Sequence, residues 1–260
     1  MRALSAAVPA GLQRGMTELR HLQTRGRRLA YRHRAGRGPT LVFLPGYMSD
    51  MDGSKATALD AWAEAQGRAM LRFDYAGCGL SDGRFEDQGL ADWRDDALAM
   101  IDSVAQGPVV LVGSSMGGWL MLLAAIARPE RVEGLVGIAA APDFTDWGFT
   151  DAQKAELREK GRVEEISPYS DAPYVTTRTF WESGESLKLL DREVAIDCPV
   201  RLLHGTADAD VPWRLSLTLM EMLRSADMQT QLVKGGDHRL SRPEDIALLI
   251  ATVATLLERP

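Results

Sequence analysis

The sequence predicts an α/β fold, in which a mostly parallel sheet carries helices on both of its faces. Short runs of apolar and β-branched residues alternate along the chain with longer segments of helical periodicity. This alternation is typical of parallel strands that are joined by crossover helices. The 260 residues suffice for one large core, so we expect a single domain that spans residues 1–260.

The predicted strands and helices follow one another in a regular order. Short apolar runs predict strands at residues 40–44, 69–73, 109–112, 135–139, 200–204 and 229–233. Longer stretches of helical periodicity predict helices at residues 54–66, 90–105, 118–127, 211–223 and 243–257. The alternating positions Leu29, Tyr31 and His33 indicate one more strand, ahead of the strand at residues 40–44. Functional loops should gather at the carboxyl ends of the parallel strands.

The charge and cysteine content disfavour several classes of function. The net charge of -6 disfavours nucleic-acid binding, which normally needs a basic face. Eight arginines and a single acid, Glu18, precede residue 36, and we expect a solvated start to the fold rather than a targeting leader or basic arm. Two cysteines without metal-ligand spacing fit a reduced cytoplasmic protein. The longest apolar runs are too short to span a membrane.

One interval, residues 142–197, interrupts the alternation of strands and helices. It contains a charged helical segment at residues 152–160, turns at Pro168 and Pro173, and a short helical pattern at residues 179–190. It is also rich in aromatic residues: Phe144, Trp147, Phe149, Tyr169, Tyr174, Phe180 and Trp181. We expect a small helical lid over the functional site. The alternative is a surface excursion whose aromatic residues pack on the sheet.

The segment VVLVGSSMGGWLML, residues 109–122, joins an apolar strand to an apolar helix through a turn of serines and glycines. Gly113 and Gly117 stand two residues before and after Ser115, so the pattern Gly-x-Ser-x-Gly centres on Ser115 and not on Ser114. Small neighbours allow a sharp, strained turn that presents the hydroxyl above the sheet. This arrangement is typical of a nucleophile elbow. A glycine-rich turn that happens to contain serine is the alternative.

A serine nucleophile requires a base within hydrogen-bond reach and a carboxylate that orients the base. The chain has four histidines. His21 and His33 precede the first buried strand, and His204 closes a strand and is expected to be structural. His238 remains, in a loop after the last strand from which it could reach Ser115.

The segment HGTADADVPW, which begins at the end of the strand at residues 200–204, offers the acid. Asp208 and Asp210 both lie at the carboxyl edge of the predicted sheet, and this reasoning leaves the choice between them open. Asp237 and Asp143 are weaker candidates. Either choice in the segment gives the chain order serine, acid, histidine.

Two backbone N–H groups are candidates for an oxyanion hole, which stabilises the negative oxygen of an acyl-transfer intermediate. Met116 directly follows the predicted nucleophile, and Tyr47 follows Gly46 in the turn after an early strand. The Tyr47 side chain is expected to do no more than line the pocket.

Motifs for nucleotides and metals fail on spacing. The segment GCGLSDG, residues 77–83, has Asp82 where a dinucleotide-binding loop requires a third glycine, and Gly53-Ser-Lys lacks the glycine spacing of a P-loop. We therefore expect no cofactor and no metal ion. A dehalogenase would need a carboxylate at the elbow, where Ser115 stands.

Several segments resemble the α/β hydrolases: FLPGY, RFDYAGCGLSDG, LVGSSMGGWLML, IARPERV, RLLHGTADADVPW and the late DHR. The resemblance covers residues 31–257 and is strongest to a mitochondrial branch that hydrolyses palmitoyl-protein thioesters and acyl glucuronides. It implies the α/β-hydrolase fold, Ser115 as nucleophile, Asp208 as acid, His238 as base and a structural role for Asp74. Because no mitochondrial presequence is recognised, a bacterial-type cytoplasmic relative is favoured.

These observations predict a serine hydrolase for carboxylic esters or thioesters of acyl chains, on a small molecule or an acylated protein. A carbon–carbon bond hydrolase with the same triad and a non-catalytic binding protein are the alternatives. We expect an apolar, adaptable pocket formed by Met48, Met51, Met116, Trp147, Phe149, Phe180 and Trp181. If these side chains instead fill the lid's own core, the site is shallow and polar. The oligomeric state is left open.

Overall fold

A computed structural model of the chain describes residues 17–166 and 173–258. The strands within these ranges are β1 (Leu19–Thr24), β2 (Arg27–Arg34), β3 (Arg37–Leu44), β4 (Arg68–Phe73), β5 (Val109–Ser114), β6 (Val132–Ile138), β7 (Arg162–Glu165), β8 (Tyr174–Thr177), β9 (Val200–Gly205) and β10 (Met228–Val233). Eight of them form one sheet in the order β1-β2-β4-β3-β5-β6-β9-β10. Pairing is antiparallel at β1-β2 and β2-β4 and parallel elsewhere in this sheet.

The helices lie between the strands in the order that the sequence predicts. They are α1 (Ser54–Ala65), α2 (Leu90–Ser103), α3 (Met116–Ala127), α4 (Phe144–Trp147), α5 (Asp151–Lys160), α6 (Arg178–Glu185), α7 (Arg214–Met222) and α8 (Pro243–Leu257). In the part of the chain that the structure describes, no helix is both long enough and apolar enough to cross a membrane. The mostly parallel sheet with helices on both faces confirms the predicted fold class.

Two predicted helices are shorter in the structure by several residues. The helix predicted from residue 211 begins at Arg214; Val211 precedes Pro212, which disfavours helical geometry at Val211, and its N–H donates to the carboxylate of Asp208. The helical pattern predicted to reach residue 190 ends at Glu185, because Leu189 and Leu190 turn away to donate to Asp143. Hydrogen bonds to buried carboxylates therefore hold the chain in loop conformations just before α7 and just after α6.

The lid, residues 142–197, contains strands as well as helices. Strands β7 and β8 form a two-stranded antiparallel sheet between α5 and α6. Each has four residues, too few for a periodic pattern to stand out from the helices beside it. The turn predicted at Pro168, like Tyr169, lies outside the described residues. The lid therefore adds a short two-stranded sheet to the helices that the sequence predicts.

Helices bury both faces of the sheet along its apolar strands. In β5, Val109 and Leu111 pack with α2 and α3 on one face, while Val110 and Val112 pack with α1 and α8 on the other. A strand that is covered on both sides reads as a continuous apolar run, which is the pattern that predicted it.

The arginine-rich hairpin of β1 and β2 is matched by acidic side chains on α2. Arg25 pairs with Asp92 at 3.1 Å and Arg27 with Asp96 at 2.8 Å, and the Asp96 side chain is fully buried. Asp96 also accepts the N–H of Ala76, at the loop after β4. From residue 19 onward the basic segment is therefore built into the sheet and held there by α2.

Two glycines allow α3 to approach β3 and β5 closely. A Cβ atom on Gly113 would overlap the carbonyl oxygen of Gly117, and a Cβ atom on Gly117 would overlap the carbonyl oxygen of Leu44. Because the obstructing atoms are backbone atoms, they cannot turn aside. The sharp turn between β5 and α3 therefore requires glycine at both positions.

We expect Gly117→Ala to lower the free energy of unfolding by about 3 kcal/mol, since overpacking against fixed backbone is at the upper end of such costs. Urea denaturation measures the difference. The control is Gly53→Ala, whose added Cβ would meet no atom closer than 3.7 Å and should cost at most about 1 kcal/mol. Equal stability of the two variants would contradict the argument.

Candidate active site

Ser115 occupies the turn between β5 and α3 with a φ of 56° and a ψ of -119°. Residues other than glycine rarely adopt a positive φ, so this backbone is strained. The N–H of Ser115 donates to Ile138 at 2.9 Å, and its carbonyl accepts from Gly118 and Ala141 at 2.8 and 3.1 Å. Ser114 is the last residue of β5 and is buried. The turn therefore selects Ser115 as the serine whose hydroxyl meets the predicted base.

His238 lies in the loop between β10 and α8 and touches both predicted partners. Its Nε2 is 3.1 Å from Oγ of Ser115, and its Nδ1 is 2.9 Å from Oδ2 of Asp208. The loop is fastened to the segment after β9, where the N–H of Ala207 donates to Gly236 at 2.9 Å. The three side chains predicted from sequence thus form one continuous hydrogen-bonded chain.

The side chain of Asp208 is excluded from solvent and accepts four N–H groups. Its Oδ1 accepts from the backbone of Asp210 and Val211 at 2.9 and 2.8 Å, and its Oδ2 accepts from His238 and from His204 at 2.9 and 3.1 Å. Burial alone would raise the pKa of Asp208. The hydrogen bonds from His204, His238 and Val211 outweigh burial and hold this pKa well below its usual range.

The other acids considered from sequence occupy different places. Asp210 lines the pocket and gives its backbone N–H to Asp208. Asp237 accepts a backbone N–H within its own loop, and Asp143 accepts backbone N–H groups in the lid. The choice that the sequence left open therefore falls on Asp208, because its carboxylate is the one hydrogen-bonded to Nδ1 of His238.

The two N–H groups predicted for an oxyanion hole border the serine. Met116 is the first residue of α3 and adjoins Ser115 directly. Tyr47 follows Gly46, where an added Cβ would stand 3.5 Å from Cβ of Ser115. The loop after β3 thus passes beside the serine side chain.

The Tyr47 side chain does more than line the pocket. Its hydroxyl donates to the carbonyl of Val175 on β8 at 2.7 Å, and its ring packs against Phe85 and Phe180 at 5.1 and 4.8 Å between centroids. Burial raises the pKa of this phenol. One residue therefore joins the loop beside Ser115 to the lid, a link for which the sequence offers no signal.

The buried carboxylate of Asp74 also holds the loop after β3. It accepts the N–H of Met51 at 2.7 Å and the N–H of Leu80 at 2.8 Å, which ties the loop after β3 to the loop after β4. Burial raises the pKa of Asp74, and these two hydrogen bonds oppose that rise. These contacts fit the structural role that the resemblance implied.

Ser115 opens into a cavity of about 510 Å³ between the sheet and the lid. Its apolar lining residues are Met48, Phe144, Trp147, Phe149 and Tyr174. Its polar lining residues include Ser49, Asp50, Ser54, Lys55, Asp210 and Arg239. The pocket therefore offers contacts for both a hydrocarbon group and a polar group.

Four of the seven side chains predicted for this pocket lie in the core instead: Met51, Met116, Phe180 and Trp181. Phe180 is 1% exposed and packs against Trp93, while Nε1 of Trp181 donates to the carbonyl of Thr145. Phe180 lies in the main core with α2 and α3, whereas Trp181 packs with Leu157 and Val163 in the lid's own core. The alternative stated from sequence, in which these side chains fill the lid's own core, therefore holds for Trp181, while Met48, Trp147 and Phe149 line the pocket as predicted.

Lys55, in the first turn of α1, fastens the loop that carries His238. Its Nζ donates to the carbonyl of Arg239 at 2.5 Å. Burial and the nearby charge of Arg239 lower the pKa of Lys55 to about 8, although Asp237 and Asp245 oppose the shift. A lysine in a helical pattern reads as a surface residue, so sequence reasoning missed this contact.

Three possible metal ligands, from Asp208, Asp210 and His238, lie within 4.8 Å of one another. However, Oδ2 of Asp208 and Nδ1 of His238 are bonded to each other, and Oδ1 of Asp208 is bonded to two N–H groups. The contacts of this cluster are therefore those of a hydrogen-bond chain.

The chain belongs to the alpha/beta hydrolase family, whose sequence profile matches residues 41–247. It is 42% identical over 235 residues to the human protein named "Palmitoyl-protein thioesterase ABHD10, mitochondrial", covering 89% of this chain and 77% of that one. A more distant relative, 26% identical, is the 2-hydroxymuconate semialdehyde hydrolase of Pseudomonas sp. (strain CF600), covering 75% of this chain and 80% of that one.

Solved structures agree with this assignment. Alpha/beta hydrolase domain-containing protein 10 from mouse superposes with a TM-score of 0.88 at 40% identity, covering 93% of this chain and 99% of that one. A putative hydrolase from Agrobacterium vitis S4 gives a TM-score of 0.87 at 39% identity, with the same coverage. The resemblance predicted from the sequence motifs is confirmed.

The lowered pKa of Asp208 predicts a pH dependence of stability. A depressed folded-state pKa stabilises the protein above the unfolded value of about 3.9, and this contribution is lost as pH falls toward the folded value. Between pH 6 and pH 3 the wild-type free energy of unfolding should therefore fall by at least about 1 kcal/mol more than that of Asp208→Asn. Urea denaturation at both pH values tests this. Asp210→Asn should retain the wild-type loss, and identical curves for wild type and Asp208→Asn would contradict the prediction.

Proposed function

We propose that the protein is a serine hydrolase that cleaves carboxylic esters or thioesters through an acyl-enzyme intermediate. The observation that carries this proposal is the hydrogen-bond chain from Ser115 through His238 to the buried carboxylate of Asp208. Nucleophile, base and orienting acid are the parts that acyl transfer by serine requires. The cavity above Ser115 supplies room for the substrate.

In the proposed reaction, Nε2 of His238 takes the proton of Ser115 as Oγ attacks the carbonyl carbon. The N–H groups of Tyr47 and Met116 hold the negative oxygen of the tetrahedral intermediate. His238 then gives the proton to the departing alcohol or thiol, which leaves Ser115 acylated. In the second half, His238 takes a proton from water, the hydroxide adds to the acyl carbon, and Oγ leaves with the proton. Throughout, Asp208 orients His238 through Nδ1 and stabilises its charged form.

The shape of the pocket supports an acyl chain as the group transferred. The lid contributes apolar side chains to the lining, among them Phe144, Trp147 and Phe149. These side chains can contact a hydrocarbon group, while the polar side chains of the same cavity can orient the rest of the substrate. A relative at 42% identity is named as a palmitoyl-protein thioesterase, which supports thioesters among the substrates.

A carbon–carbon bond hydrolase is the second candidate, because the same three side chains can serve it and one distant relative is named a 2-hydroxymuconate semialdehyde hydrolase. Cleavage of a carbon–carbon bond in 2-hydroxymuconate semialdehyde, with no ester hydrolysis, would favour it. A binding protein without activity would show neither reaction.

The cytoplasmic location inferred from the sequence stays a prediction, which cell fractionation would test.

The nucleophile can be identified by covalent labelling. A fluorophosphonate should add one label at Ser115, because its hydroxyl is the one paired with His238. Ser115→Ala should abolish the label, and Ser114→Ala, which changes a buried strand residue, should retain it; mass spectrometry of the digested protein locates the label. A label that survives in Ser115→Ala and disappears in Ser114→Ala would refute the assignment.

The acyl-chain pocket predicts a dependence on chain length. Each buried methylene contributes about 0.8 kcal/mol, so kcat/KM should rise up to about fourfold per added carbon until the pocket is full. Assays of acyl esters and thioesters from two to sixteen carbons measure the slope. Trp147→Ala should reduce the dependence of kcat/KM on chain length, because Trp147 is an apolar lining residue of the pocket. Met220→Ala, at an exposed site on α7, should leave that dependence unchanged. A profile that peaks at acetyl would exclude the acyl-chain pocket.

A further inference from the structure

His204, near the end of β9, is a fully buried histidine that touches the proposed catalytic acid from behind. Its Nε2 is 3.1 Å from Oδ2 of Asp208 and 3.1 Å from the carbonyl oxygen of Val211. Its Nδ1 is 2.8 Å from Oγ of Ser216 on α7, which is also buried. Both ring nitrogens are therefore committed to defined partners.

These partners determine which nitrogen carries the proton. Nε2 faces a carboxylate and a carbonyl, and both are acceptors, so Nε2 must be protonated. Nδ1 can then accept the hydroxyl proton of Ser216. In this tautomer Oδ2 of Asp208 receives N–H groups from two imidazoles, His204 on one side and His238 on the other.

We infer that His204 is a positioning residue of the active site, whose Nε2–H fixes the carboxylate of Asp208 against His238 and reduces the negative charge that His238 meets. This inference rests on the proposed function. The two backbone N–H groups on Oδ1 hold one end of the carboxylate, and the two imidazoles hold the other. With all four bonds in place, the carboxylate has one orientation.

Loss of the bond from His204 has two separable consequences. The carboxylate is freed to rotate, which misorients His238 and lowers kcat. Oδ2 also loses a donor, so more negative charge faces Nδ1 of His238, and the charged imidazolium is stabilised. The acid limb of the activity profile should then move to higher pH. A loss of packing alone would lower kcat without that movement.

Other charged groups surround His238 and remain in every variant considered. They line the pocket beside it or lie in and against its loop: Asp50, Lys55, Glu165, Asp210, Asp237, Arg239 and Asp245. A difference between variants at residue 204 therefore reports the contact with Asp208. The four histidines of the chain make their ring resonances simple to assign by substitution.

The test compares His204→Met, which removes the donor at similar bulk, with His204→Gln, which keeps an amide N–H near the position of Nε2. With a p-nitrophenyl acyl ester, His204→Met should lose about 10- to 100-fold in kcat with KM little changed, by analogy with the hydrogen-bond partners that orient metal-binding histidines. Its acid limb should rise by at least about half a pH unit. His204→Gln should recover most of kcat and the wild-type limb. His21→Gln, on the exposed strand β1, is the matched control and should match wild type.

Ring nitrogen NMR gives a readout that needs no substrate. In the wild-type protein His204 should show a protonated Nε2 and a bare Nδ1, and the titration midpoint of His238 should rise in His204→Met. The opposite tautomer in wild type, or a folded His204→Met variant with the wild-type midpoint, would overturn the inference. Absence of ester hydrolysis by wild type would instead refute the proposed function, and the NMR result would still decide the role of His204.

Discussion

The structure of the site depends on one buried negative charge. Transfer of an isolated carboxylate from water into a protein interior is costly, so Asp208 is retained only with all of its lone pairs satisfied. That requirement fixes the loop after β9, which supplies two backbone N–H groups, and it fixes His204 and His238, which supply two more. The negative charge of a single side chain thus holds together two segments that are distant in sequence, residues 204–211 and the loop at His238.

The strained turn at Ser115 is the second fixed point, and it is secured by sterics rather than by charge. Gly113 and Gly117 bring α3 against the backbone of β3 and β5, and Ser115, in the turn between β5 and α3, has a positive φ. The loop after β3 passes beside it and is held by Asp74 and Tyr47. The proposed nucleophile and oxyanion donors are therefore positioned by the body of the sheet, while the proposed base and acid are positioned by its later loops.

Much of this was predictable because the responsible signals are local. Apolar runs mark doubly covered strands, and the spacing of glycines marks the turn at Ser115. Residue type does not separate Asp208 from Asp210, since the choice depends on the path of a loop. The same holds for the lid, where Trp147 and Trp181 are alike in sequence but face different sides. The contacts of Lys55 and Tyr47 join segments far apart in the chain, so no local pattern reveals them.

The hydrogen bond from Tyr47 to Val175 has a consequence for how this kind of protein can diversify. A buried phenol that loses its acceptor costs about 1 to 3 kcal/mol, so a replacement for the lid must again offer a carbonyl at that point. The lid of a relative can therefore replace this one only if it places a backbone carbonyl within reach of the Tyr47 hydroxyl. New substrate specificities are reached more readily by substitutions at the lining residues Trp147 and Phe149, which leave the hydrogen bond between Tyr47 and Val175 intact.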